Sequence, residues 1–331
     1  MRVLVRPKVL LPILLAAALI FLALSLGDLS QVVGRIQAIP VTIMAIALGF
    51  AALYLALKAL QLHLLLDNLG AHPDWGRFAL AFAVGELAVT LPLGIFAENW
   101  VLAEEKKIKF GRSSAATVTM LLAEIAIVLL LLTVVGIPGW RILQPLAALV
   151  LFLIAAFLFG VLHFEPQANR LAHKIKQPKL HEAALAGIGL IRGLKSLTNW
   201  HVLAVNLVIP VFYLGALACA FLAVGHGVGL HSLDYLKAAT IYAFSLAAVL
   251  LCGGLVGQIG SVEIVGMIAA QAWGIGYTDG LALMLGFRVV WTGALWLLNG
   301  PIVIAFWRSK RPHADDETDD ASADHREKTS D

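Results

Sequence analysis

Five ionisable residues stand inside long apolar runs: Lys58, Glu86, Glu124, Glu263 and Arg288. A charge at the centre of a helix in hydrocarbon costs about 2.5–3.5 kcal/mol on insertion scales, so each needs a partner, a wet cavity or the interface. Glu124 has no basic residue near it on its own run, Arg288 lies within the last run, and Glu263 follows directly on a glycine-rich stretch. Groups of this kind can bind an ion or exchange a proton inside a membrane. They can equally form interhelical pairs that only stabilise. Lys58 and Glu86 have a third option, which is to extend their stems to the interface.

The elements that must carry these residues are helices. Of the 331 residues 60% are hydrophobic and 14% charged, with a mean hydropathy of +0.88. Soluble domains carry about 25% charged residues, so this composition excludes a separate soluble enzyme domain. The chain starts with Arg2, Arg6 and Lys8, followed by an uncharged run from Val9 to Leu26. At 1.5 Å per residue that run covers roughly 27 Å, enough for a retained first span, and it is longer than the core of a cleavable signal. Further apolar runs cover 40–65, 78–97, 114–136, 142–163, 201–224, 236–256, 259–275 and 281–307.

Two of these regions are interrupted. The first holds Gly85, Glu86, Pro92 and Gly94, and the second holds Gly253, Gly254, Gly257, Gly260 and Glu263. Backbone freed by a break must be satisfied by protein or by a wet cavity, because lipid offers no hydrogen bonds. Treating 78–97 and 236–275 as re-entrant pairs entering from opposite sides leaves about six full spans. Seventeen arginines and lysines then fall on the side of the N-terminus and only Arg35, Arg141 and Lys237 on the other. The positive-inside rule therefore puts both termini and the basic loop 164–199 in the cytoplasm. Gly94 to Glu98 reads G-x-x-x-E and Gly260 to Glu263 reads G-x-x-E, the two glutamates lying 165 residues apart. Opposed broken helices at equivalent places are a recurring transporter plan, with ordinary glycine kinks as the alternative. The expected fold is thus an all-α polytopic bundle over residues 1–310. Within 164–199, Leu185, Ile188, Ile191 and Leu194 share a face, which suits a helix on the inner leaflet or a plain linker. The acid-rich tail 311–331 has the composition of a disordered segment.

Other chemistry has little support. There is no phosphate-binding G-x-x-x-x-G-K, and the spaced glycines at 187–193 and 225–230 follow no strand. His181 and Glu182 lack the second histidine of a zinc-protease helix, and Cys219 and Cys252 both lie in apolar runs. No nucleic-acid partner, cofactor, metal site or enzymatic activity is expected.

The run GGLVGQIGSVEIVGMIAAQAWGI followed by LALMLGFRVVW resembles the C-terminal signature of the lysylphosphatidylglycerol synthase transmembrane region, a flippase-like membrane family. Gly257, Gly260 and Glu263 match its glycine-rich break, and Arg288 matches the arginine of its final helix. LPLGIFAENWVLAEEKKIKFGRSSAATVTMLLAEIAIVLLLL is similar to the family's first signature, with Pro92, Gly94, Glu98 and Glu124 matching in kind. One departure is Val101, where the family often has an arginine three residues after the first glutamate. The resemblance covers about 1–310 and lacks the cytoplasmic aminoacyl-transfer domain of the full synthases.

What the resemblance implies is a lipid flippase, or a transporter of a lipid-linked substrate, in a bacterial-type inner membrane. Its substrate would be an anionic or aminoacylated phospholipid or a polyprenyl-linked lipid. Glu86, Glu98, Glu124, Glu263 and Arg288 would line the path. Two other readings stay open: an ion-coupled transporter of a small solute, and a non-transporting partner of a lipid-modifying enzyme.

Overall fold

A computed structural model describes residues 28–89, 94–103, 110–163, 170, 177–197, 199–251 and 260–309. Pro92, Gly257, the first apolar run and the acid-rich tail lie outside the described residues. Those described hold eleven α-helices and no strand.

Asp28 opens the first helix, α1 (Leu29–Gln37), its carboxylate accepting from the backbone N–H groups of Ser30 and Gln31. After Pro40 the chain enters α2 (Val41–Asn68), whose 28 residues make a rod of about 42 Å. Two short helices follow, α3 (Trp75–Ala88) and α4 (Ala97–Ala103), separated by a single 3-10 turn at Gly94–Phe96 and by residues outside the description. They are succeeded by α5 (Phe110–Val134), α6 (Leu143–His163), α7 (Pro178–Ser196) and α8 (Trp200–Gly227). A second pair of shorter helices, α9 (Tyr235–Leu251) and α10 (Ser261–Ala272), precedes the long last helix, α11 (Tyr277–Ser309). Five helices are long and apolar enough to cross a membrane, within 41–68, 110–134, 143–160, 200–227 and 277–307. The sixth expected span, Val9–Leu26, lies outside the described residues.

Both interrupted regions are antiparallel helical hairpins. In the first, Arg77 on α3 meets Val101 on α4, and Gly85 meets Glu98. Gly94 sits so close to the end of α3 that a Cβ would fall 1.7 Å from the Ala88 carbonyl oxygen, so only glycine permits that return. In the second, Ser245 on α9 faces Gly266 on α10, residues equally far from the break. Gly260 starts α10 at φ +86°, a left-handed conformation that glycine adopts without penalty. The Glu263 side chain accepts the Gly260 N–H at 2.7 Å, which satisfies one orphan donor of the new helix.

The two halves of the chain repeat one plan. A long helix, a hairpin and a second long helix run as α2, α3–α4, α5, and again as α8, α9–α10, α11. Helices α2 and α8 lie antiparallel, with Ile43 against Gly227, Tyr54 against Tyr213 and Gln61 against Asn206. The halves exchange partners reciprocally: the first hairpin packs on α11 through α3, and the second packs on α5 through α9. Tyr54 and Tyr213 occupy equivalent places 159 residues apart, and their rings meet edge to face at 5.4 Å, on the pseudo-two-fold axis. Antiparallel packing of equivalent helices makes the repeat an inverted one.

Lipid tails are as apolar as leucine, so close backbone approach and polar contacts must hold such a bundle. Ala47, Ala51, Ala81, Ala83, Ala115, Ala116 and Ala220 are completely buried, which lets the helices approach. Pro210 has no N–H to give the carbonyl of Asn206, and Gln61 Nε2 donates to that carbonyl at 3.3 Å. By contrast, α6 is scarcely covered and turns Phe152, Phe157 and Phe159 outward, as a lipid-facing helix does. Helix α7 packs on α5, where Gly193 meets Ala115, and it buries Ile188.

Candidate functional site: a charged cavity between two hairpins

Each hairpin brings a polar residue to its tip region, and the long helices bring the rest. Glu86 lies in the last turn of α3 and Glu98 in the first turn of α4; Glu263 lies in the first turn of α10. Lys58 comes from α2, Glu124 from α5 and Arg288 from α11. All six line one cavity of about 120 Å³, with room for several water molecules.

Lys58 is the hub of one cluster. Its ammonium lies 3.0 Å from Glu86 Oε1 and 3.5 Å from Glu124 Oε1, and it donates to the Tyr54 hydroxyl at 2.8 Å. Tyr213 donates to Glu124 Oε1 at 2.7 Å. The side chain of Lys58 is only 14% exposed. It therefore does not extend to an interface, which corrects that option. Its stem is held between three helices because two carboxylates compensate its charge inside the bundle.

The second cluster joins Glu263 and Arg288. Arg288 Nε donates to Glu263 Oε1 at 2.6 Å, while Glu263 Oε2 takes the Gly260 N–H. A short charge-assisted bond and a backbone N–H thus occupy both oxygens of one carboxylate. The glycine break and the arginine of the last span are coupled through this one side chain.

Glu98 makes the third group. Its Oε1 accepts a 2.6 Å bond from the Thr117 hydroxyl, and Thr117 in turn accepts from Asn99 Nδ2 at 2.9 Å. No cation among the described residues lies within ion-pair distance of it. Val101, where the family arginine is absent, offers its carbonyl to Arg77, whose Nε and Nη2 donate at 3.0 and 2.6 Å. A guanidinium from α3 thereby caps the C-terminal end of α4.

The opposite wall of the cavity is aromatic. Trp291 meets Tyr54 edge to face at 5.2 Å and stacks on Phe287 at 5.4 Å, and Phe287 in turn meets Tyr242. Trp296 both lines the cavity and is 58% exposed on the side of a spanning helix, so this one side chain lies between the cavity and the outer surface of the described bundle.

The structure brings Glu86, Glu98, Glu124, Glu263 and Arg288 to the same cavity, with Gly94 and Gly260 at the hairpin turns. Sequence reasoning did not single out Tyr54, Tyr213, Thr117 or Asn99. The repeat held the signal. An offset of 159 residues sets Tyr54 on Tyr213; about five residues more set Glu98 on Glu263 and Glu124 on Arg288. No group of three or more metal-ligating side chains occurs among the described residues.

No curated protein matches the sequence closely. The family described as lysylphosphatidylglycerol synthase TM region matches residues 9–298, nearly the whole membrane part, including both hairpins and every residue of the cavity. With paired broken helices, an arginine in the last span and that match over most of its length, the chain belongs to the lysylphosphatidylglycerol synthase TM region family, a multi-pass helical membrane protein.

Proposed function

We propose that the chain carries a lipid, or a lipid-linked substrate, between the leaflets of an inner membrane, as a transporter and not as an enzyme. The observation that carries this reading is a charged cavity held between two inverted hairpins, one of whose lining side chains, Trp296, is exposed on the side of the bundle where a lateral mouth would form. A lateral mouth suits a molecule whose acyl chains stay in lipid while its head group enters the protein. A small solute needs openings to water only.

Lys58 and Arg288 would exchange their carboxylate partners for the phosphate of an anionic or aminoacylated phospholipid or a polyprenyl-linked lipid. The carboxylates so released would meet any ammonium on the head group. The excess of basic residues on one side favours cytoplasmic termini and a cytoplasmic loop around α7, where a lipid-modifying enzyme could also dock.

Reconstitution with several fluorescent phospholipids tests the reading. The wild type should move at least one of them between leaflets, and the well-folded double variant Glu263→Gln, Arg288→Met should not. Transport by the double variant at the wild-type rate would remove these two residues from the path. Absence of movement for every lipid in the wild type would remove the function.

A further inference from the structure

The inverted repeat invites a comparison of equivalent carboxylates. Glu263 and Glu98 both sit in the first turn of the returning helix of a hairpin, and both are more than nine-tenths buried. The residue equivalent to Arg288, which neutralises Glu263, is Glu124 in the other half. Glu98 consequently faces a second carboxylate position where its twin faces a guanidinium. Lys58 does not make good the deficit, because it already serves Glu86 and Glu124. Four carboxylates thus share two cations around one cavity.

Glu98 Oε1 has its hydroxyl donor, and Oε2, which accepts no hydrogen bond from the described residues, lies 3.0 Å from where a Gly85 Cβ would stand. An anion buried with one neutral donor is costly, and a bound positive charge offsets that cost. Thr117 Oγ1 lies 2.6 Å from Glu98 Oε1 and 3.2 Å from Asn99 Oδ1, so these neutral groups already organise one side of the carboxylate, and a proton is the smallest charge that neutralises it without moving them.

We propose that Glu98 is the proton-binding carboxylate of the cavity: it takes a proton from cavity water and returns it to water when the cavity changes sides. The change of sides rests on the transport reading; the proton site does not. Among the described residues, the charged groups on the elements packed against Glu98 are Arg77 and Glu86 on α3 and Glu124 and the exposed Arg112 on α5, with Lys58, Glu263 and Arg288 lining the same cavity. In the pairing seen here, Glu86 and Glu124 share the Lys58 ammonium and Glu263 has Arg288, whereas Glu98 has no ion-pair partner among the described residues.

Infrared difference spectra of the purified full chain, between mildly acidic and mildly basic buffer, test this directly. The wild type should show a titrating carboxylic-acid C=O band that Glu98→Gln loses and Glu263→Gln retains. Thr117→Val, which keeps the carboxylate but removes its donor, should displace the titration of that band. A band unchanged in Glu98→Gln, or displaced by sodium at constant pH, overturns the proposal. In vesicles carrying a labelled phospholipid, an imposed proton gradient should change the transport rate of the wild type and not that of Glu98→Gln. A Glu98-dependent band together with transport indifferent to the gradient upholds the proton site and overturns its coupling to lipid movement.

Discussion

Replacing Lys58 by methionine removes the one ammonium between Glu86 and Glu124 while keeping the length of the side chain. Each contact, at 3.0 and 3.5 Å, corresponds to roughly 5 kcal/mol of attraction at an effective dielectric of about 20, before desolvation and the mutual repulsion of the carboxylates are subtracted. Removal of one partner from a buried ion pair costs about 3–5 kcal/mol in practice, since the remaining charge stays buried without compensation. Two glutamate side chains at 6% and 8% exposure would be left in that state, so Lys58→Met belongs at the upper end of the range. At roughly 2–4 °C per kcal/mol for a chain of some size, the melting midpoint in detergent should fall by about 10–20 °C. Adding Glu86→Gln and Glu124→Gln to Lys58→Met should recover most of the loss, because all three charges then vanish together. Thermal unfolding followed by tryptophan fluorescence reads both variants against the wild type. A Lys58→Met protein that melts with the wild type would show that the ammonium does not hold these helices together, and the hub would have to be abandoned.

Three further outcomes follow from the geometry. Gly94→Ala should fail to give a monodisperse protein, because its Cβ would collide with the Ala88 carbonyl, whereas Gly34→Ala, with nothing within 4 Å, should behave as wild type. The Ser30 hydroxyl, followed by the Gln31 N–H, holds the Asp28 carboxyl below its ordinary value. The cap of α1 is therefore fully effective above the usual aspartate range and is lost as pH falls through the lower folded value. Amide exchange in α1, relative to its intrinsic rate, should accelerate as pH falls below the usual aspartate range, and Asp28→Asn should reduce that dependence. Single cysteines placed in α7 and near Ser309 should react with a membrane-impermeant thiol reagent from the cytoplasmic face only; labelling of either from outside would reverse the topology.

Hydropathy and glycine placement made the spans and both hairpins legible, because these are local properties of the chain. Glu263 and Arg288 were legible as a pair for the same reason: one short turn joins the helices that carry them. Lys58 was not. Its partners stand on α3 and α5, and a lone lysine in an apolar run looks the same whether it reaches water or crosses to another helix. Gln61 and Asn206, 145 residues apart, were hidden likewise, and only the missing N–H of Pro210 hinted that a carbonyl there needed a donor. The role of Arg77 depends on where α4 ends, which no pattern in the sequence marks.

The tyrosine pair on the pseudo-two-fold axis carries a last consequence. On the proposed reading, two inverted halves give two end states, each related to the other by the two-fold axis with the halves interchanged. Identical halves would make those states equal in energy. Here the halves share their tyrosines at the axis but differ off it, with glutamate on one side where arginine stands on the other. The fulcrum is balanced and the weights are not. On the proposed transport reading, the two end states would then differ in energy, and a charge arriving in the cavity would shift the balance between them.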